Sequence, residues 1–141
     1  MSDIGAAARA LILQSTKVVQ MVSTRVYSDQ LPQTAKVPAI VYAVQSTDAN
    51  DVIDGALGVD DSTIEVHCLA ATRSEANELH RAVFRQLQGF RGVSAGVTIR
   101  VIYQDGGQYH ATDLPDGGSD AYRYITSQDF GFVYGSLERS C

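Results

Sequence analysis

A thiol beside an imidazole is a short route to nucleophilic catalysis, and His67-Cys68 supplies that pair in sequence. The residues around them alternate as in a strand, however, and strand neighbours point to opposite faces, so the two side chains cannot act together without a bulge. Cys68 is expected to pack as a small core hydrophobe. His80 lies beside Leu79 on an amphipathic helix, where it reads as a boundary or solvated residue. His110 falls in a loop near Asp105 and Asp113, where a general base would still lack a nucleophile or metal motif. None of the three histidines has metal-ligand spacing. The expectation is a non-enzyme with no catalytic residue, no metal and no cofactor.

Two further patterns suggest ligands and fail on detail. Gly106-Gly107 and Gly117-Gly118 open no helix after a strand and carry no phosphate-binding lysine, so they read as loop punctuation. Asp48, Asp51, Asp54, Asp60 and Asp61 fall near Gly55 and Gly58, but without calcium-loop spacing or its terminal glutamate. They read as a solvated acidic loop. Glu78, Arg81 and Arg85 share the polar face of a helix, which suits weak surface ion pairs or a neighbouring subunit.

The elements that must position these residues follow from periodicity. Asp3 caps a helix whose apolar positions are Ile4, Ala7, Ala8, Leu11 and Ile12, and Val18, Val19 and Val22 continue it as a short turn or a bend. Arg25-Val26-Tyr27 reads as a short strand before an irregular crossing at Asp29–Val37, where Pro32 and Pro38 bar ladder pairing. Strands follow at Ala39–Ser46 and Ser62–Leu69, the latter with Ile64, Val66 and Cys68 facing inward. Thr72 and Glu75 form a capping box before the stripe Ala76, Leu79, Val83, Phe84 and Leu87, which Gly89 ends. Val97–Tyr103 and Tyr122–Tyr134 alternate as the last strands.

Two amphipathic stripes need one shared apolar surface. The predicted fold is therefore α+β: a single β-sheet of four to five mainly antiparallel strands with two main helices packed on one face. The opposite face is then partly uncovered, and the Tyr and Phe residues of the last strand exceed what one helix layer hides. A single domain over residues 1–141 suits the length, with projecting loops at about 47–61 and 104–120.

Composition narrows the function classes. A formal charge of −5, from 16 acidic and 11 basic side chains, disfavours tight binding of a phosphate backbone. Two cysteines make no disulfide framework and suit synthesis in a reducing cytoplasm. No apolar run approaches the roughly 20 residues of a membrane span, and the start lacks the pattern of a signal peptide.

The order of segments resembles the tail-terminator family of tailed bacteriophages and phage-like gene transfer particles, also called tail-completion or head-to-tail joining proteins. The likeness runs through Ala10-Leu11-Ile12-Leu13, Arg25-Val26-Tyr27, Gln30-Leu31-Pro32-Gln33, Pro38-Ala39-Ile40-Val41-Tyr42, Ile64–Cys68, the helix from Ser74 to Leu87 with Gly89-Phe90, and the aromatic last strand. The segment Gln104–Asp120 is longer than the family pattern.

This resemblance implies a structural virion protein at the head-proximal end of the tail, assembled in the host cytoplasm. Its copies would form a ring, usually a hexamer, that caps the tail tube, ends its polymerisation and meets the head-completion or connector protein. DNA would pass the lumen without specific binding. Asp48, Asp51, Asp54, Asp60, Asp61, Gln104, Asp105, Tyr109, His110, Asp113 and Asp116 are then candidate interface or lumen residues, and Arg81 and Arg85 candidate subunit contacts. The alternatives are another neck or tail-tube component and, third, a small hydrolase or ligand-binding domain.

Overall fold

Side chains spaced three and four apart wind the first segment into α1 (Ile4–Leu13), which buries Ile4, Ala7, Ala8, Leu11 and Ile12. This is a computed structural model, and it describes residues 4–30, 36–49, 59–113 and 123–135. Ser15 accepts a hydrogen bond from the Val18 amide at 3.3 Å and starts a separate helix, α2 (Thr16–Val22), anchored by buried Val18 and Val22. Next come β1 (Val26–Ser28), β2 (Ala39–Ala49) and β3 (Val59–Ala70).

Thr72 accepts from the Glu75 amide at 3.1 Å and caps α3 (Arg73–Leu87), whose buried face is Ala76, Leu79, His80, Val83 and Leu87. Gly89, at φ +78°, ends the descent and donates to the Ile102 carbonyl at 2.8 Å, tying the helix end to the sheet. The chain finishes with β4 (Gly92–Ser94), β5 (Val97–Asp113) and β6 (Arg123–Gly135). Ala95 and Gly96, both at positive φ, make the two-residue β4–β5 turn.

The sheet has the order β1-β2-β3-β6-β5-β4, antiparallel throughout except for the parallel β1–β2 pair. Register sets Tyr42 beside Val66 and Ile64 beside Phe130. These residues, with Ile40, Cys68, Ile102, Phe132 and Tyr134, form one core under all three helices. Within it Ser62 and Tyr134 share a hydrogen bond at 2.9 Å, so neither buried hydroxyl lacks a partner.

The expected fold needs two corrections. Among the described residues there are three helices, not two, and six strands, not four to five. The short turn expected at Val18, Val19 and Val22 stands as a helix of its own, α2, while β4 is too short for periodicity to register and a tertiary contact holds it: Ser94 donates to the Ala7 carbonyl at 2.8 Å, fastening β4 to α1. Residues 47–49, 59–61 and 104–113, expected in loops, continue β2, β3 and β5. Their acidic and glycine-rich sequence lowers strand propensity, but ladder pairing to a central strand overrides a weak preference.

Candidate functional site

β4 borders β5 only at Val97, Thr98 and Ile99, and Gly89 occupies the carbonyl of Ile102. Beyond that point no described strand lies on the side of β5 away from β6, and every residue from Tyr103 to Thr112 is exposed. Tyr109 is 53% exposed and Tyr103 40%. An open strand edge bearing two tyrosines is a liability that isolated proteins blunt, and one that interfaces use. The other side of the sheet is also stepped: β1 borders only Ile40, Val41 and Tyr42, leaving exposed Val44 beyond it.

A bulge divides the open part of β5. Gln104 sits opposite Phe130 and Gln108 opposite Gln128, so residues 105–107 face Asp129 alone, and Gly106 takes φ +86°. Gln128, 1% exposed, holds the bulge from beneath by donating to the carbonyls of Gly106 at 3.2 Å and Gly107 at 3.4 Å. The adjoining space, about 350 Å³, lies between Asn77, His80, Arg81 and Phe84 of α3 and Gln104 and Gln108 of β5. His80 is 8% exposed and its Nε2 has no hydrogen-bond partner among the described residues. Burial holds its pKa below the ordinary value; nearby Gln128 pulls the other way, although it makes no well-formed bond to Nε2. The imidazole is therefore neutral at pH 7.

Arg81 also borders a second cavity of about 290 Å³ with Lys17, Glu78 and Arg85. There Lys17 pairs with Glu78 at 2.7 Å, both half-exposed, and the lysine holds the Glu78 carboxyl below its usual pKa. Such a pair adds little stability.

The helix-free face of the sheet is polar. Gln45 donates to Glu65 at 2.9 Å, Glu65 meets His67 Nε2 at 3.0 Å, and His67 Nδ1 meets Ser127. This is the order of a serine, histidine and carboxylate relay, but Ser127 is 6% exposed, so its hydroxyl is closed to a substrate. Asp129 stands close by, its pKa raised by burial and then by the charges of Glu65 and Asp105. Thr63 donates to Asp105 at 3.4 Å.

The expected interface residues thus divide. Gln104, Asp105, Tyr109 and His110 lie on open β5, and Asp113 ends that strand opposite Arg123. Asp60 and Asp61 lie in β3, and Asp48 of β2 is the cross-strand neighbour of Asp61. Asp51, Asp54 and Asp116, and the pair Gly117-Gly118, lie outside the described residues. Arg81 and Arg85 are exposed on α3. His110 is held by Arg73 at 3.2 Å, and that arginine also donates to the Ala111 and Ile125 carbonyls at 2.7 Å. Sequence reasoning missed the Glu65–His67–Ser127 chain, whose one local signal is the two-residue spacing of Glu65 and His67. Cys68 is fully buried, and burial pushes its thiol pKa far up.

Comparison with known proteins bears on these surfaces. The sequence model of the family "Tail completion protein gp17" matches residues 6–112. Among solved structures, a chain from the "Virion of native gene transfer agent (GTA) particle" superposes with a TM-score of 0.58 at 16% identity, covering 96% of this chain and 100% of that one. No curated protein matches.

Proposed function

This chain belongs to the family of the tail completion protein gp17, and from that premise we infer that its copies close head to tail into a ring. The protein is a structural, non-enzymatic virion component, a tail terminator. In our reading it is one domain whose ring, a hexamer as the family resemblance implies, caps the tail tube and meets the head-completion or connector protein.

The observation that carries this reading is the bare stretch of β5 from Tyr103 to Thr112. A ring needs a heterologous contact, two different patches per subunit that join copy to copy and close by rotation. Open β5 is one patch, and the β2–β3 side, with exposed Val44, is the other. A carboxylate-rich helix-free face, with Asp61, Glu65, Asp105 and Asp129, would repel DNA and leave it free to slide. The described parts of the expected loops, residues 47–49, 59–61 and 104–113, then lie on the strands that reach toward tube, connector or lumen.

Electron microscopy tests this directly. Purified protein should show closed rings, and particles lacking it should show overlong or headless tails. A protein that stays monomeric at all concentrations, with normal tails in its absence, refutes the reading.

A further inference from the structure

We infer that β1 of one copy docks beside the open part of β5 of the next and brings the carboxylate of Asp29 to the cavity between α3 and the β5 bulge. The inference rests on the ring reading and adds which residues meet.

The rows of the sheet set the register. Ser28 lies beside Tyr42, Tyr42 beside Val66, Val66 beside Gln128 and Gln128 beside Gln108, so Ser28 and Gln108 are the two ends of one row. The neighbouring rows run from Tyr27 to Tyr109 and from Val26 to His110. β1 is therefore a step on one edge of the sheet in the same three rows where the other edge carries no described strand, since β4 covers only Val97, Thr98 and Ile99. Rotation about an axis along the strands keeps rows level, so a neighbouring copy brings its β1 into the vacant place. β1 runs parallel to β2, and β2, β3, β6 and β5 alternate in direction, so β1 and β5 meet antiparallel.

Side chains must carry much of this contact, because β1 has spent backbone groups on its own surroundings. The Val26 amide donates to the Thr24 carbonyl and the Gln30 amide to the Ser28 carbonyl, both at 2.8 Å, and Arg9 donates to the Val26 carbonyl at 3.2 Å. Asp29 follows directly. It is exposed at φ +69°, and its amide donates to the Tyr42 carbonyl at 2.8 Å, which fixes its place at the end of β1. Its Oδ2 accepts from the Ser28 hydroxyl at 3.1 Å, and its Oδ1 is uncommitted among the described residues. With Ser28, Tyr42 and Val44 it borders a space under Arg9 of α1, on the helix side of the sheet.

The receiving cavity is on the helix side too, and Gln108, at the far end of the Ser28 row, lines it. Its groups suit one carboxylate. Asn77 accepts from Thr126 through Oδ1 at 2.8 Å, which leaves its amide nitrogen as a donor. His80 Nε2 is buried without a partner among the described residues, and in the tautomer protonated there it offers an N–H. Arg81, also lining the cavity, adds an exposed guanidinium. Neutral donors with one cation match a single negative charge, and the contact joins opposite charges from different copies.

Cross-linking tests the register. In a Cys141→Ser background the native thiol left is Cys68, which is buried. Ser28→Cys and Gln108→Cys in one chain should then form disulfides between copies, since opposed residues of antiparallel strands stand about 5 Å apart. Within a copy the two positions lie four strands apart, so they cannot join there. A non-reducing gel should show a ladder that ends at the closed ring, and neither substitution alone should give one. Charge tests the cavity. Asp29→Lys and Arg81→Glu should each raise the concentration for half-assembly about tenfold or more, and equal amounts of the two should restore it. Thermal midpoints equal to wild type establish that the variants fold. Wild-type rings with no ladder from the double-cysteine chain, or with Asp29→Lys assembling as wild type does, overturn the docking and leave the ring reading intact. A wild-type chain that forms no ring overturns both.

Discussion

The phenol ring of Tyr103 lies over Gly131 on the helix-free face, so close that a Cβ at residue 131 would collide with it. The two are cross-strand partners on β5 and β6. Glycine at 131 makes room, and the ring in turn covers the β6 backbone, where Gly131 is buried. Gly131→Ala should therefore push Tyr103 off the strand, destabilising the protein by about 1–2 kcal/mol, the usual range for steric change at a packed site. In a Tyr103→Ala background the same substitution should cost much less. A double-mutant cycle by chemical denaturation measures the coupling, and additive effects would show that the ring does not hold this place in solution.

Asp129 should make the protein less stable once it ionises. Burial, then Glu65 and Asp105, raise its pKa above 3.8 in the folded chain, whereas the unfolded chain keeps the ordinary value. Between the two values the folded state binds more protons, so stability falls as pH rises through the folded pKa. Asp129→Asn should raise the thermal midpoint at pH 7, and the gain should vanish below about pH 3.8. A gain that is equal at both pH values would point to packing and not to charge.

Cys68 should be inert. It is fully buried on β3, and burial pushes its thiol pKa far above the ordinary range, so little thiolate is available. In a Cys141→Ser variant, a thiol reagent at pH 8 should label nothing in the native state and one group after denaturation. Rapid native labelling would mean that the core opens often.

These cases show what a linear reading reaches. α3 was legible because its cap, Thr72 and Glu75, and its stripe from Ala76 to Leu87 all lie within one short window. The inward face of β3 was legible for the same reason, as Ile64, Val66 and Cys68 alternate without interruption. The lower half of β5 was not. Gly106 and Gly107 look like a loop in sequence, and what keeps them in the strand is Gln128 of the next strand, 22 residues beyond Gly106 along the chain. Likewise His67 is an isolated histidine until β6 brings Ser127 beside it. The acidic residues were visible as composition, but that Glu65 of β3 and Asp129 of β6 are cross-strand neighbours required the strand order.

Gln128 is where fold and interface meet, and it gives the sharpest structural test. Its side chain is nearly inaccessible, and it spends its amide protons on the bulge carbonyls of Gly106 and Gly107 and on the carbonyl of Asp129. Leucine is close in size but offers no donor, so Gln128→Leu leaves those carbonyls short of a partner and should cost about 1–3 kcal/mol. Because the bulge sits at the open edge, the loss should be local as well as global. Amide hydrogen exchange should accelerate across residues 104–110 while the amides of α3 change only in step with overall stability. Ring assembly should weaken too, since the bulge lies on the open edge of β5 that the ring reading uses. If exchange rises equally everywhere, Gln128 is merely a buried core residue, and the bulge is held by its backbone alone.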